Sequence, residues 1–214
     1  MELIDEYLNL NFISEGDFLV QNKCSHSDLL RWQENKILPT ASYTTNNNAK
    51  ITSFFGTFDF NSVEKWYPIG LCEWVCQIKD VHENPSSLKD IFFKRYKNKI
   101  NELNLCGLSD CIYKNESEFS VLLESEWQHF LNGTYGVCTK DSSPEHIAVK
   151  DMTIRIIDRV TNKQRKESVL GDDLKLLTIS VNLLDAVSSP FAPHERNRSS
   201  RKRCVELVRE KYIN

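Results

Sequence analysis

The sequence predicts a mainly α protein. An N-terminal helix-turn-helix-like module with a small β-hairpin wing occupies residues 1–60, and a helical domain follows over residues 61–214. Three observations point that way. Only 7 glycines and 6 prolines occur in 214 residues, too few for a turn-rich β fold. From Pro68 onward apolar residues recur at helical spacing, each run opened by a start signal. At the end of the module, residues 40–60 lack that period and fill with Thr, Asn and aromatic side chains, which suits paired strands.

The elements follow in order. Residues 2–10 read as a short helix. Ser14 can cap a helix over Glu15–Asn22, with Asp17 as the acid of a capping box. Ser25 or Ser27 can cap a second helix with Asp28 in its first turn. Leu29 and Trp32, three apart, then face the first helix. Pro39 pushes Leu38 to extended geometry and ends the pair. Asn46-Asn47-Asn48 reads as a turn between strands over Ala41–Thr45 and Ile51–Phe60. Pro68–Val81 carries Leu71, Trp74, Val75 and Ile78 on one helical face. Ser87 opens the next helix, with Asp90 three residues on and a stripe of Leu88, Ile91, Phe92, Tyr96, Ile100 and Leu103. Glu116–Leu131 is helical and stops at Asn132-Gly133, and Tyr135–Cys138 leaves it as a stiff exit. Ser143-Pro144-Glu145 starts a helix to about Thr161, with proline at its first position. Gly171-Asp172-Asp173 starts another, faced by Leu177, Val181, Leu184 and Val187. Ser199 or Ser200 caps a last helix to about Ile213.

Composition narrows the class. A hydrophobic content of 40%, a charged content of 27% and a net charge of −3 describe an ordinary globular chain with no global pull toward nucleic acid or anionic lipid. No apolar run reaches the roughly 20 residues that span a bilayer, so no membrane partner is expected. The opening MELIDEYLNLN is acidic where a signal peptide is basic, which argues against export and for a cytoplasmic protein. An odd count of 7 cysteines fits free thiols in a reducing compartment. The Asn-X-Ser/Thr sites at Asn115 and Asn132 then carry no sugar.

Two stretches offer candidate chemistry. In Ser188–Cys204, SSPFAPHERNRSSRKRC, two prolines stiffen a loop that carries His194, Glu195 and Arg196 toward a helix start. Free N–H groups beyond Ser199-Ser200, with Arg198 and Arg201, make a candidate phosphate or carboxylate site of His194, Glu195, Arg196, Arg198, Ser200 and Arg201. The same loop could equally be a structural latch. In Glu126–Cys138, EWQHFLNGTYGVC, Glu126 and His129 lie one helical turn apart, with Tyr135 and Cys138 beyond them. Two ligands do not make a metal site, and a capped helix with packed Trp127 and Phe130 explains the stretch as well. Cys72/Cys76 and Cys106/Cys111 have the edges of zinc spacing, but the first pair sits among core residues. The run Lys94, Arg95, Lys97, Lys99 reads as a solvated helix face. No metal and no cofactor is expected, since no glycine-rich phosphate loop, G-x-S-x-G or H-E-x-x-H occurs.

Residues 13–39, ISEGDFLVQNKCSHSDLLRWQENKILP, resemble without gaps the helix-turn-helix that opens MerR-type transcription regulators. The resemblance implies a DNA-binding regulator. Two departures oppose that. Leu30 stands where those regulators place a basic residue. Residues 1–40 also set three bases (Lys23, Arg31, Lys36) against seven acids (Glu2, Asp5, Glu6, Glu15, Asp17, Asp28, Glu34), a net −4, against the need to neutralise phosphates. DNA is therefore a disfavoured partner, and a protein-docking role suits the acidic, apolar face better.

ILPTASYT, FLNGTYGVCT and SPFAPHERNRSSRKRC together resemble a bacterial domain-of-unknown-function family, number 6058, whose members are often labelled natural product biosynthesis proteins. The similarity is expected over nearly the whole chain. It implies a bacterial cytosolic accessory or binding protein of secondary-metabolite biosynthesis, with a small-molecule or protein partner from that pathway and no assigned catalytic residue. The alternatives are the MerR-like regulator and a small enzyme centred on His194, Glu195 and Arg196.

Overall fold

The computed structural model describes residues 4–213. It is mainly helical, with one small antiparallel sheet in the order β1-β3-β2. α1 (Ile4–Asn11) leads through β1 (Phe12–Ser14) into α2 (Glu15–Asn22) and α3 (His26–Glu34). Residues 2 and 3 of the expected first helix lie outside the described residues. Ser14 caps α2, its Oγ accepting from Asp17 N at 3.2 Å. The reciprocal capping box forms at α3, where Ser25 Oγ accepts from Asp28 N and Asp28 Oδ2 accepts from Ser25 N at 2.9 Å. Leu29 and Trp32 are buried, as their spacing requires.

The wing differs from expectation. β2 (Tyr43–Ser53) runs straight through Asn46-Asn47-Asn48, which pair with Val63, Ser62 and Asn61 of β3 (Gly56–Pro68). The chain reverses instead at Phe54-Phe55, where Gly56 holds a left-handed φ of 116°. The outer hairpin is solvated on both faces, so mid-strand asparagines bury no polar group there, and a long continuous ladder outweighs their turn preference.

α4 (Leu71–Asp80) buries Leu71, Trp74, Val75 and Ile78. α5 (Pro85–Leu105) starts two residues before the predicted Ser87, because Asn84 caps it, its Oδ1 accepting from Ser87 N at 3.0 Å, and Pro85 takes the first helical position. α6 (Glu116–Leu131) has the predicted bounds. The segment read as a stiff exit is a further short helix, α7 (Thr134–Cys138), turned away from α6 by Gly133 at φ 78°. α8 (Pro144–Val160) is capped by Ser143 and packs against α5 and α9 (Gly171–Val187). The last helix, α10, spans 200–213 and is π-helical over Lys202–Glu206 and Arg209–Ile213.

One hydrophobic core joins Phe18, Leu29, Trp32 and Leu38 to Trp74, Phe92, Trp127, Phe130, Ile156 and Leu184. Its aromatic centre sets Trp74 against Phe130 at 5.1 Å and Phe92 against Trp127 at 5.2 Å. Trp74 Nε1 donates to the Ile37 carbonyl at 2.8 Å, so the indole is satisfied where it is buried. A smaller cluster of Tyr7, Leu8, Phe12 and Ala192 is flanked by Tyr43 and Trp66. Among the described residues no helix is long and apolar enough to cross a membrane.

Candidate functional site

A cleft of about 830 Å³ opens where α9, α10, the Ser188–Pro190 turn and the end of α7 meet the start of the chain. Its polar wall is Asn182, Asp185, Lys140, Arg201 and Arg209; its apolar wall includes Leu10, Phe12, Ile69 and Pro190. That size falls in the range of small-molecule sites, about 300–1,000 Å³.

Asp185 organises the polar wall. Its Oδ1 meets Arg201 Nη2, and its Oδ2 lies 2.9 Å from Arg209 Nη1. Arg209 Nη2 also donates to Asn182 Oδ1 at 3.0 Å. Burial pushes the Asp185 carboxyl up, but the Arg209 hydrogen bond and the charges of Arg201 and Arg209 outweigh it and hold the group below the usual carboxylate range. Two guanidinium groups and the Lys140 ammonium thus face the cleft with one carboxylate among them. Ser188 adds a second feature: the residue borders the cleft, and its hydroxyl, buried away from solvent, has no hydrogen-bond partner among the described residues. A buried hydroxyl without a partner is costly in a native fold.

The geometry of α10 brings its two arginines together. In an α-helix eight residues turn about 2.2 times, which leaves Arg201 and Arg209 roughly 80° apart. The wider π turn over Lys202–Glu206 brings the rotation back toward two full turns, so both side chains reach one carboxylate. Short π segments inside helices often mark functional sites.

The six residues of the predicted anion site divide. Arg201 lines the cleft. Glu195 turns the other way, its Oε2 accepting from Tyr43 Oη at 2.5 Å. His194 is exposed with Nε2 at 3.9 Å from Glu195 Oε1. Arg196 Nε donates to the Phe191 carbonyl at 3.2 Å, and Arg198 is exposed on the following turn. Ser200 buries its Oγ. The helix start is capped by Ser199, whose Oγ accepts from Lys202 N at 2.9 Å, and the cationic surface runs along the flank of α10 from Arg201 in its first turn to Arg209. The loop is also pinned to the start of the chain, since Tyr7 Oη and Ser189 Oγ lie 3.3 Å apart. Arg209, Asp185, Asn182 and Lys140 were not singled out from the sequence. They come from α9, α10 and the turn after α7, and no motif or fixed spacing links them in the sequence.

The second stretch forms a different assembly. Glu126 is buried and accepts a hydrogen bond from Tyr135, while His129 is exposed, its ring 6.5 Å from that of Tyr135. Cys138 is buried and free. Nearby, Tyr96 and Tyr113 both donate to Asp151 Oδ2, at 3.0 and 2.8 Å, and Arg155 Nε donates to Asp151 Oδ1 at 2.9 Å. Burial first, then the Asp151 charge, raise Glu126 to about 8. No group of three metal-ligating side chains occurs among the described residues.

Residues 88–213 match the model of a family described as a family of unknown function (DUF6058). FLNGTYGVCT and SPFAPHERNRSSRKRC lie inside that match, and ILPTASYT lies outside it. No curated protein and no solved structure matches the chain.

Proposed function

The chain belongs to the family of unknown function DUF6058, and we propose that it is a binding protein for an anionic small molecule, held in the cleft between α9 and α10. The observation that carries this is the pair Arg201 and Arg209 lining one concave space on either side of Asp185. Guanidinium groups match carboxylate and phosphate oxygens in a planar, bidentate way. Lys140, exposed at the rim, adds a further positive charge. The apolar wall of Leu10, Phe12, Ile69 and Pro190 suits a ligand with an organic body. An accessory role in bacterial, cytosolic secondary-metabolite biosynthesis fits such a site, because pathway intermediates are commonly carboxylates or phosphoesters.

Calorimetric titration of the purified chain with inorganic pyrophosphate and with succinate tests the reading. Binding is expected for at least one of them, weakened at least ~10-fold in Arg209→Ala. Absence of binding at ~10 mM, or an unchanged affinity in the variant, rejects it.

A regulator that reads DNA is the second reading. The order α2, α3, β2, β3 supports it, being the element order of a helix-turn-helix with a wing. The charges of α3 weaken it: Arg31, its single Lys or Arg, gives Nε and Nη2 to Glu83 at 3.1 and 2.8 Å and Nη2 also to Asp28. An arginine engaged by two carboxylates has little left for a phosphate. The enzyme reading draws on His194 beside Glu195, and it is weakened by the hydrogen bond that Glu195 already accepts from Tyr43.

A further inference from the structure

The register of the β2–β3 hairpin sorts its side chains by face. Ile51 stands opposite Phe58 and Ala49 opposite Phe60 on one side; Lys50 opposite Asp59, Thr52 opposite Thr57 and Asn48 opposite Asn61 occupy the other. The arm is therefore amphipathic. Followed inward, the face of Ile51 and Phe58 passes the polar pairs Asn47 with Ser62 and Thr45 with Glu64 before it reaches Tyr43 opposite Trp66, which pack on the cluster of Tyr7, Leu8 and Phe12. Followed outward, it is bare: Phe58 is 65% exposed, Ile51 54%, and the tip residues Phe54 and Phe55 are 97% and 95% exposed. A two-stranded hairpin with an uncovered apolar face is marginal in water.

We propose that a second copy of this chain covers that face, the two arms packing apolar side to apolar side as a twofold dimer. Charge and area favour this occupant. The charged side chains of the two strands are Lys50, Asp59, Glu64 and Lys65, whose charges cancel, and Lys50 pairs with Asp59 at 3.7 Å. The arm is thus neutral, so two copies approach without repulsion. It lacks both the basic excess that would hold it on an anionic membrane and the single-sign field that would select a charged partner. Its four phenylalanines, Phe54, Phe55, Phe58 and Phe60, together expose about three whole side chains, roughly 600 Å² at about 200 Å² each. Two arms that bury these side chains fully, tips included, remove at most on the order of 1,200 Å², the lower end of stable interfaces. A face that meets its own copy makes a closed, isologous contact.

Sedimentation equilibrium of the full chain between ~1 and ~100 µM reads the association. A dimer is expected that weakens ~100-fold or more in Phe58→Asp and in Ile51→Lys, since both place a charge at the centre of the face. Thr52→Asp, on the opposite face, should leave it unchanged. Thermal unfolding of all three should match the parent at a concentration where the parent has dissociated, because these positions lie outside the core; where the parent is dimeric, Phe58→Asp and Ile51→Lys should melt lower by mass action. A parent that stays monomeric at ~100 µM overturns the proposal, whether or not it floats with phosphatidylcholine vesicles. So does a dimer that survives Phe58→Asp, or one that Thr52→Asp disrupts equally.

Discussion

Asp185 and Arg209 lie 24 residues apart in sequence and 2.9 Å apart in the fold. This pair, with Arg201 on the other carboxylate oxygen, holds α10 against α9 and at the same time occupies the cations of the cleft. Asp185→Asn removes the internal anion while keeping the shape. Phosphate or pyrophosphate affinity should then rise several-fold, because the ligand no longer competes with a carboxylate. The melting temperature should fall, corresponding to about 1–2 kcal/mol for a half-buried network losing its charge. Titration calorimetry and thermal unfolding on the same sample check both. A variant that binds more weakly would show that Asp185 positions the arginines rather than competing for them.

Glu126 gives the chain a pH dependence of defined sign. Its carboxyl is raised from 4.5 to about 8 in the fold. The native state therefore holds a proton that the unfolded chain has already lost. The stabilisation from that proton is complete below about pH 4.5 and is lost as pH rises through about 8. Glu126→Gln mimics the neutral acid and can still accept from Tyr135. It should flatten the fall in melting temperature between pH 5 and 8 and leave the variant more stable than the parent at about pH 8.5. An unchanged pH profile would remove Glu126 as its source.

Two glycines should respond oppositely to alanine. A Cβ at Gly136 would sit 1.9 Å from Ser42 Oγ and 2.9 Å from Pro68 Cγ. The Ser42 hydroxyl already donates to the Gly133 carbonyl at 3.2 Å, so it cannot swing away freely. Gly136→Ala should cost about 2–3 kcal/mol. Gly16, in the first turn of α2, meets only Ser14 Oγ at 3.9 Å, and Gly16→Ala should stabilise by about 0.5–1 kcal/mol. Denaturant unfolding of the two variants reads the difference directly.

The thiols should label in a fixed order. Cys76, Cys106 and Cys111 are exposed, Cys24 and Cys72 are half-buried, and Cys138 and Cys204 are buried. Burial also pushes the Cys204 thiol up to about 11, which suppresses the reactive thiolate. Native alkylation followed by mass spectrometry should modify the three exposed thiols first and Cys204 among the last, and denaturant without reductant should expose all seven. Early labelling of Cys204 would contradict the packing of α10.

The sequence by itself determined the local elements. Ser14, Ser25, Asn115 and Ser143 start helices because each side chain accepts a backbone N–H in the first turn, an interaction spanning two or three residues. The apolar stripes of α4, α5 and α9 turned inward because burial follows period. Where local preference was read without its context it misled: the asparagine run at 46–48 favours a turn only in a chain that has no partner strand to hold it extended.

Tertiary structure decided the site. Whether Arg201 meets Arg209 depends on the π turn between them, and a pattern read at 3.6 residues per turn separates them. Whether either meets Asp185 depends on how α10 packs on α9. Glu195 and Tyr43 lie 152 residues apart and join two ends of the chain. The 188–199 segment announced itself as polar and stiff, but only packing selected which of its charges face the cleft. Helix caps and stripes are short-range and survive in a sequence read alone. Convergence of side chains from distant elements is set by the packing of the core and leaves no fixed spacing to read.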